Sequence, residues 1–380
     1  MRICHLAKYY PPARGGIESH VQTLARLQAA GGDRVQVIAL DHRRGGPPGL
    51  RWETDAGVEV ARVHPRLRLS HAQWSPELLA WMRGGLAADI VHLHLPNPSM
   101  QVVWLRTRPA AKLIVTYHSD IIRQRLLRLP LLPLERATLA HAAAILASSP
   151  NYIRRSPLLR RFAGQVTVLP LGTDLEPYLH PSPAALEWSR RLRAEHGEPL
   201  WLCVGRLVYY KGLETAIAAL ARCPGKLMIV GVGPLEPRLR RQARRLGVES
   251  RLIWAGQVEA ERLAGAYAAA TAFWFPSNAR SEGFGLVQIE AMASRCPLIN
   301  TGIPGSGVNW VSPHEESGIT VPAKNPAALA AAALRLWQDA GLRARLGEGG
   351  RQRALAEFNQ EAMAQRVMQC YRQALAGAAS

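Results

Sequence analysis

Two glutamates, Glu282 and Glu290, stand eight positions apart in the segment Arg280-Ser281-Glu282-Gly283-Phe284-Gly285-Leu286-Val287-Gln288-Ile289-Glu290-Ala291-Met292-Ala293. A glycine–aromatic–glycine turn leads from the first into an apolar run of helical character. Glu282 is therefore expected in a loop at the tip of a strand, and Glu290 inside the helix that follows. The start of such a helix offers unpaired backbone N–H groups and the positive end of a dipole, which suits a phosphate. Carboxylates on either side accept hydrogen bonds from hydroxyls. Phosphate flanked by hydroxyls is the make-up of a nucleotide sugar. The plainer reading is one loop carboxylate and one helix-surface carboxylate. Against it, Glu290 sits in an otherwise apolar helix, where a buried carboxylate is costly unless paired, and a ribose diol would pair it.

Four further stretches carry polar groups beyond apolar runs of strand length. In Gly205-Arg206-Leu207-Val208-Tyr209-Tyr210-Lys211-Gly212, Arg206 and Lys211 can clamp the two phosphates of a diphosphate and offset charge on a departing nucleotide, the electrostatic role a metal plays elsewhere. In Pro11-Pro12-Ala13-Arg14-Gly15-Gly16-Ile17-Glu18, the paired Gly15 and Gly16 either let backbone approach a ligand or form a plain tight turn. Thr116-Tyr117-His118-Ser119-Asp120 puts His118 at a strand's carboxyl end, as a site residue or a structural one, and Asp120 as a hydroxyl acceptor or a helix cap. Gly256-Gln257-Val258 can present backbone groups to a nucleobase edge. Gly231-Val232-Gly233-Pro234 reads as a turn, since Glu236 occupies the third glycine position of a dinucleotide fingerprint. That weighs against a dehydrogenase. No Asp-x-Asp, metal-spaced His/Cys set, GxSxG or P-loop occurs, so no metal and no cofactor is expected.

The elements that must position these residues fall into two series. Strand-length runs rich in Val, Ile and Leu cover 2–7, 34–40, 58–63, 90–95, 112–118, 143–149 and 166–171, then 200–207, 226–232, 251–256, 272–277, 297–301 and 318–321. Such continuous runs belong to strands buried on both faces. Helical spacing at 17–30, 213–221, 235–246 and 262–270 lies between them. The alternation predicts an α/β chain with two doubly wound parallel sheets. The expected division is 1–176 and 177–359, with 172–199 as a proline-bearing linker and a final helix at 360–376, within 360–380, packing back on the first domain.

Composition narrows the class. With 48% hydrophobic and 20% charged residues the chain is a folded, soluble type. It shows no signal-peptide apolar region and no run long enough to span a membrane. The five scattered cysteines make no disulfide framework, so a reducing cytoplasm is the expected home. Net charge is +19, yet only five of the 47 basic residues are lysine, as a GC-rich genome's codon bias would give. The same charge fits anionic membranes or diphosphates, and no module supports nucleic acid. The basic, leucine-rich stretch Arg123-Gln124-Arg125-Leu126-Leu127-Arg128-Leu129-Pro130-Leu131-Leu132 can rest on a bilayer or form a buried helix, with Pro130 limiting one continuous helix.

Taken together, the glycine pair, His118, Gly-Arg-x4-Lys-Gly and Glu-x7-Glu resemble family 4 of the retaining glycosyltransferases over essentially the whole chain. The resemblance implies the GT-B architecture of two facing Rossmann-like domains. It implies that Arg206 and Lys211 bind the donor diphosphate with the backbone amides of Phe284, Gly285 and Leu286. Glu282 would hold hydroxyls of the transferred sugar, Glu290 the ribose, and Val258 the base through its backbone. Gly15 and Gly16 would approach the donor from the opposite domain, and His118 would lie beside the sugar. Where many members carry Gly-x-Pro-Glu, this chain has Gly302-Ile303-Pro304-Gly305-Ser306-Gly307-Val308, which looks like enzymes building mannose- or rhamnose-containing O-antigens. That favours a GDP-sugar over a UDP-sugar. The implied partners are the nucleotide sugar and a glycan acceptor, lipid-linked at the inner membrane face. The rivals are a nucleotide-sugar epimerase, a phosphorylase, or an inactive partner in a polysaccharide-assembly complex.

Overall fold

A computed structural model describes all residues except 14, 42–48, 70–71, 85, 119–124 and 378–380. The chain parts into two compact units, Met1–Gly172 with Gln360–Ser380, and Thr173–Asn359.

Among the described residues of the first unit, β1 (Arg2–Ala7), β2 (Arg34–Leu40), β3 (Gly49–Asp55) and β4 (Val58–His64) come first. A small antiparallel pair, β5 (Leu67–Leu69) and β6 (Ala72–Trp74), follows. Then come β7 (Ile90–Leu95), β8 (Lys112–Tyr117), β9 (Ala144–Ala147) and β10 (Val166–Val168). The main sheet runs in the order β10-β9-β8-β7-β1-β2-β4-β3. Every neighbouring pair is parallel except β3–β4. β3 was absent from the series of apolar runs, because an edge strand that buries little can carry Arg51, Glu53 and Asp55. On one face of this sheet lie the helices Gly16–Ala30 and Gln360–Ala376. Met363, Val367 and Tyr371, each four residues on from the last, pack with Ile3, Ile90 and Ile114.

The second unit holds β11 (Leu200–Val204), β12 (Lys226–Val230), β13 (Leu252–Gly256), β14 (Ala272–Phe275), β15 (Leu298–Gly302) and β16 (Gly318–Pro322). All pairs are parallel, in the order β13-β12-β11-β14-β15-β16. Helices between the strands cover a core around Trp201, Trp274, Ile229 and Ile299.

The stretch 172–199 is not a plain linker. It holds the helices Glu176–Leu179 and Pro183–His196. The longer one starts on Pro183 behind a Ser182 side-chain cap and ends at Gly197 with φ +69°. It buries Ala185, Ser189 and Leu192. Its Ala185 carbonyl would lie 2.3 Å from a Cβ at Gly265, so that glycine lets the helix Ala260–Ala269 approach closely. Of the four prolines that suggested a linker, Pro177 and Pro183 lie at helix starts. A second correction concerns Pro130, which lies within one helix, Arg125–Ala140. A proline removes one N–H bond and bends a helix without having to end it. Of the proposed bilayer-resting stretch, residues 125–132 lie in this helix, while 123–124, Ser119 and Asp120 lie outside the described residues. No helix among the described residues is long and apolar enough to cross a membrane.

Candidate active site

In the second sheet, β11 lies between β12 and β14, so the chain's direction of winding reverses between β11 and β14. Ligands of doubly wound sheets bind beyond the strand ends at such a point. The loop after β11 carries Arg206 and Lys211, and the loop after β14 carries Glu282. Lys211 Nζ and Glu282 Oε2 are 2.7 Å apart, with side chains only 13% and 10% exposed. Ser277 Oγ donates to the same carboxylate oxygen at 3.2 Å. Lys211 Nζ also lies 4.9 Å from the centre of the Phe275 ring. Arg206 is exposed. It, Lys211 and Glu282 all act electrostatically on Tyr210, whose hydroxyl is pushed up chiefly by burial and then by the Glu282 charge, with Lys211 and Arg206 opposing. The two loops are tied by Asn278 N–H to the Tyr210 carbonyl (2.8 Å) and by the Tyr209 and Ser281 hydroxyls (2.8 Å).

Backbone freedom sets this arrangement. Gly212, at φ +66°, precedes the helix Leu213–Leu220, and a Cβ there would lie 2.0 Å from the Pro276 carbonyl oxygen. Gly285, at φ +83°, opens the helix Leu286–Ala293 with no side-chain cap, and a Cβ there would strike the Phe275 ring at 2.6 Å. The first turn of that helix has no side-chain cap on its backbone N–H groups, and its start and Lys211 both lie against the Phe275 ring. Phe284 anchors the turn, its ring packed on Trp310 and Phe358. The stretch Gly302–Val308 braces the turn as well. The Ser306 hydroxyl donates to the Glu282 carbonyl, and Gly307 N–H donates to the Gly283 carbonyl at 2.8 Å. Glu290 already has protein partners. Tyr267 donates to its Oε2 at 2.9 Å, and Tyr178 hydrogen-bonds it too. Burial nevertheless raises its pKa, against the pull of both tyrosines and of Lys211. Neither tyrosine was singled out in the sequence. Val258 follows β13 in a half-buried position beyond Gly256, whose φ is +60°.

In the first unit, Gly15 caps the helix Gly16–Ala30 with an extended φ of 168°, and a Cβ there would meet only the end of the Glu18 side chain. His118 follows β8, its N–H still bonded to the Leu95 carbonyl. It joins a layer of buried histidines, His5 from β1, His92 and His94 from β7, and His20 from the adjoining helix. His94 Nδ1 and His118 Nε2 are 3.2 Å apart. Burial pushes His5 down to about 4 and His118 down to about 3, so both rings are neutral near pH 7. The triads His5/His92/His94 and His20/His94/His118 each hold ring nitrogens within 4.8 Å of one another, close enough to consider a metal, though neither includes a carboxylate. Sequence spacing gave no such set. The available signal was the period-two placement of His92 and His94 on one face of an apolar strand.

Two parallel-sheet units, with cations, a carboxylate and a helix start gathered at the second sheet's switch point, are the arrangement of a GT-B-type glycosyltransferase. The model for glycosyl transferases group 1 matches residues 185–353, and that for the glycosyl transferase 4-like domain matches 15–172. The chain is 31% identical to the O-antigen chain mannosyltransferase C of Escherichia coli, over 98% of each chain. It is 34% identical to the D-rhamnosyltransferase WbpZ of Pseudomonas aeruginosa, over 89% of this chain and 87% of that one. Sucrose-phosphate synthase from Thermosynechococcus elongatus superposes with a TM-score of 0.81 at 28% identity, over 99% of both chains. The chain belongs to glycosyltransferase family 4, with the GT-B fold.

Proposed function

We propose that this glycosyltransferase moves a hexose of the mannose or rhamnose type from a nucleotide diphosphate sugar to a growing, lipid-linked bacterial surface glycan. GDP-linked donors are favoured over UDP-linked ones. The observation that carries the reading is the Lys211–Glu282 pair at the switch point, beside the uncapped start of Leu286–Ala293. A lysine has three N–H donors, so bonding Glu282 leaves others for phosphate oxygens. With Arg206 and the amides of Phe284, Gly285 and Leu286, Lys211 stabilises charge on the leaving diphosphate without a metal. Glu282 accepts from hydroxyls of the transferred sugar, Glu290 from the ribose, and Val258 meets the base through its backbone. In the first unit the proposal assigns a donor-side role to Gly15 and Gly16, and a role beside the sugar to His118. The names of the two relatives, a mannosyltransferase of O-antigen and a D-rhamnosyltransferase, support the sugar and acceptor class.

No covalent nucleophile is needed. The acceptor oxygen attacks the anomeric carbon from the face the phosphate leaves, the carbon–phosphate oxygen bond breaks, and the acceptor's proton passes to the leaving phosphate. The configuration is thereby retained. The test is transfer from GDP-mannose, and from other GDP- and UDP-sugars, to lipid-linked glycan acceptors with EDTA present, followed by NMR of the new linkage. Transfer with the donor's anomeric configuration is expected. An inverted linkage, or turnover only on adding a divalent cation, would refute the mechanism.

A further inference from the structure

The histidine layer fixes which nitrogen of His118 carries its proton. Gln28 Oε1 lies 2.7 Å from His5 Nε2, and an amide oxygen only accepts, so His5 carries its proton on Nε2. His5 is neutral through burial, which leaves Nδ1 as a bare lone pair. His94 Nε2, 3.1 Å from that lone pair, must donate to it. His94 is neutral for the same reason, so its Nδ1 accepts. His118 Nε2, 3.2 Å away, must then be the donor. In the orientation the structure gives Gln28, the other end of its amide faces Tyr371. Its amide N donates to the Tyr371 hydroxyl at 3.4 Å, which donates to His92 Nδ1 at 2.6 Å, and His92 Nε2 donates to Thr116 Oγ1 at 2.6 Å. With Gln28 so oriented, this direction of donation satisfies every member, and the reverse direction requires its amide turned about.

We propose that Gln28, acting through His5 and His94 as positioning residues, locks His118 in the Nε2–H tautomer, so that His118 offers Nδ1 to its ligand as a hydrogen-bond acceptor and not as an acid. The ligand group is then a hydroxyl, of the transferred sugar or of the acceptor. This functional half rests on His118 belonging to the reaction site, as proposed above. The tautomer itself does not depend on that assignment.

The competing occupant is a cation shared by His20, His94 and His118. His20 gives it some support, since both its ring nitrogens are buried without a hydrogen-bond partner among the described residues. Its ring stands nearly perpendicular to those of His94 and His118, at 5.7 and 5.1 Å between centres. A cation bridging His94 Nδ1 and His118 Nε2 demands the opposite tautomer, with the His118 proton on Nδ1. It would also place a divalent charge among buried rings with no carboxylate in the triad to offset it. The directed chain needs neither.

The experiment is long-range proton–nitrogen NMR correlation on the full chain labelled with 15N-histidine, His118 being assigned by comparison with His118→Gln. The wild-type His118 is expected as a single Nε2–H species, unchanged by added Zn2+. Gln28→Met removes the acceptor at similar volume and is expected to give a mixture of His118 tautomers. Gln28→Glu places a carboxylate beside His5 and draws a second proton onto it. Its Nδ1–H then donates to His94, the chain reverses, and His118 is expected as Nδ1–H. Transfer rates should fall in the same order, about two-fold for the methionine variant and at least about ten-fold for the glutamate variant, as loss of the right tautomer does in other enzymes. A purely structural Gln28 would move stability without inverting the tautomer. An Nδ1–H His118 in the wild type, a shift of the His94 and His118 signals on adding Zn2+, or a tautomer indifferent to both Gln28 variants would overturn the proposal. A wild-type Nε2–H species in a protein that transfers no sugar would leave the lock standing and remove the function assigned to His118.

Discussion

At the residue scale, Lys211 and Glu282 are joined by charge as well as by their assigned roles. Each is largely buried, so removing one leaves the other charge uncompensated. Lys211→Met and Glu282→Gln should each lower the midpoint of thermal unfolding, while the double variant recovers much of it. All three should lose transfer by roughly a hundred-fold or more, the scale of losing one preorganised charge-stabilising group. Unfolding scans beside rate measurements check this, and a double variant less stable than either single one would contradict the pairing. The spacing of Glu282, Glu290, Arg206 and Lys211 made them legible in sequence. Their partners were not. Tyr267 and Tyr178 reach Glu290 from separate helices, and the histidine layer needs β1, β7, β8 and two helices folded together. No local pattern encodes a contact assembled from that many elements.

At the element scale, the clamp depends on Gly212 and Gly285, which let loops meet, and Gly247 serves as a control. Gly212 and Gly247 form a matched pair, with φ of +66° and +67°, but only at Gly212 would a Cβ meet backbone, while nothing lies within 4 Å at Gly247. Gly247→Ala should cost about 1 kcal/mol, from the left-handed conformation alone, and leave donor binding intact. Gly212→Ala should cost more, and it should weaken donor binding by displacing Lys211 from Glu282. Denaturant melts and donor titrations of the two variants decide it, and equal effects would show that the Pro276 contact does not matter. The strands were readable because buried parallel strands are continuous apolar runs. Several were read too long at the carboxyl end, since Leu169, Leu171 and Leu207 stay buried past the last paired residue. What escaped was β3, half-exposed, and the helix Pro183–His196, whose N-terminal prolines look the same as linker prolines until the fold is known.

At the scale of the whole molecule, the buried histidines make stability depend on pH. His5 and His118 have folded values of about 4 and about 3, below the ordinary 6.5. Between these limits the unfolded chain binds more protons than the folded one, so stability rises with pH there. It is fully present above about 6.5 and lost as pH falls toward the folded values. Glu290, shifted upward, acts in the opposite sense as a single group against several histidines. Unfolding midpoints should therefore drop steadily from pH 7 to pH 5, and a flat profile would show that the layer is not buried and neutral. The two-sheet architecture was legible from strand–helix alternation and the family from its spaced motifs, because both are repeated or local signals.

The most direct test of the diphosphate clamp is thermal unfolding with GDP-mannose, other GDP-sugars and UDP-sugars, in EDTA, on the wild type and on Lys211→Met. A donor at a hundred times its dissociation constant should stabilise the wild type by about 2.7 kcal/mol and leave the variant unmoved. Equal stabilisation of both proteins, or a wild type indifferent to every nucleotide sugar, would contradict it.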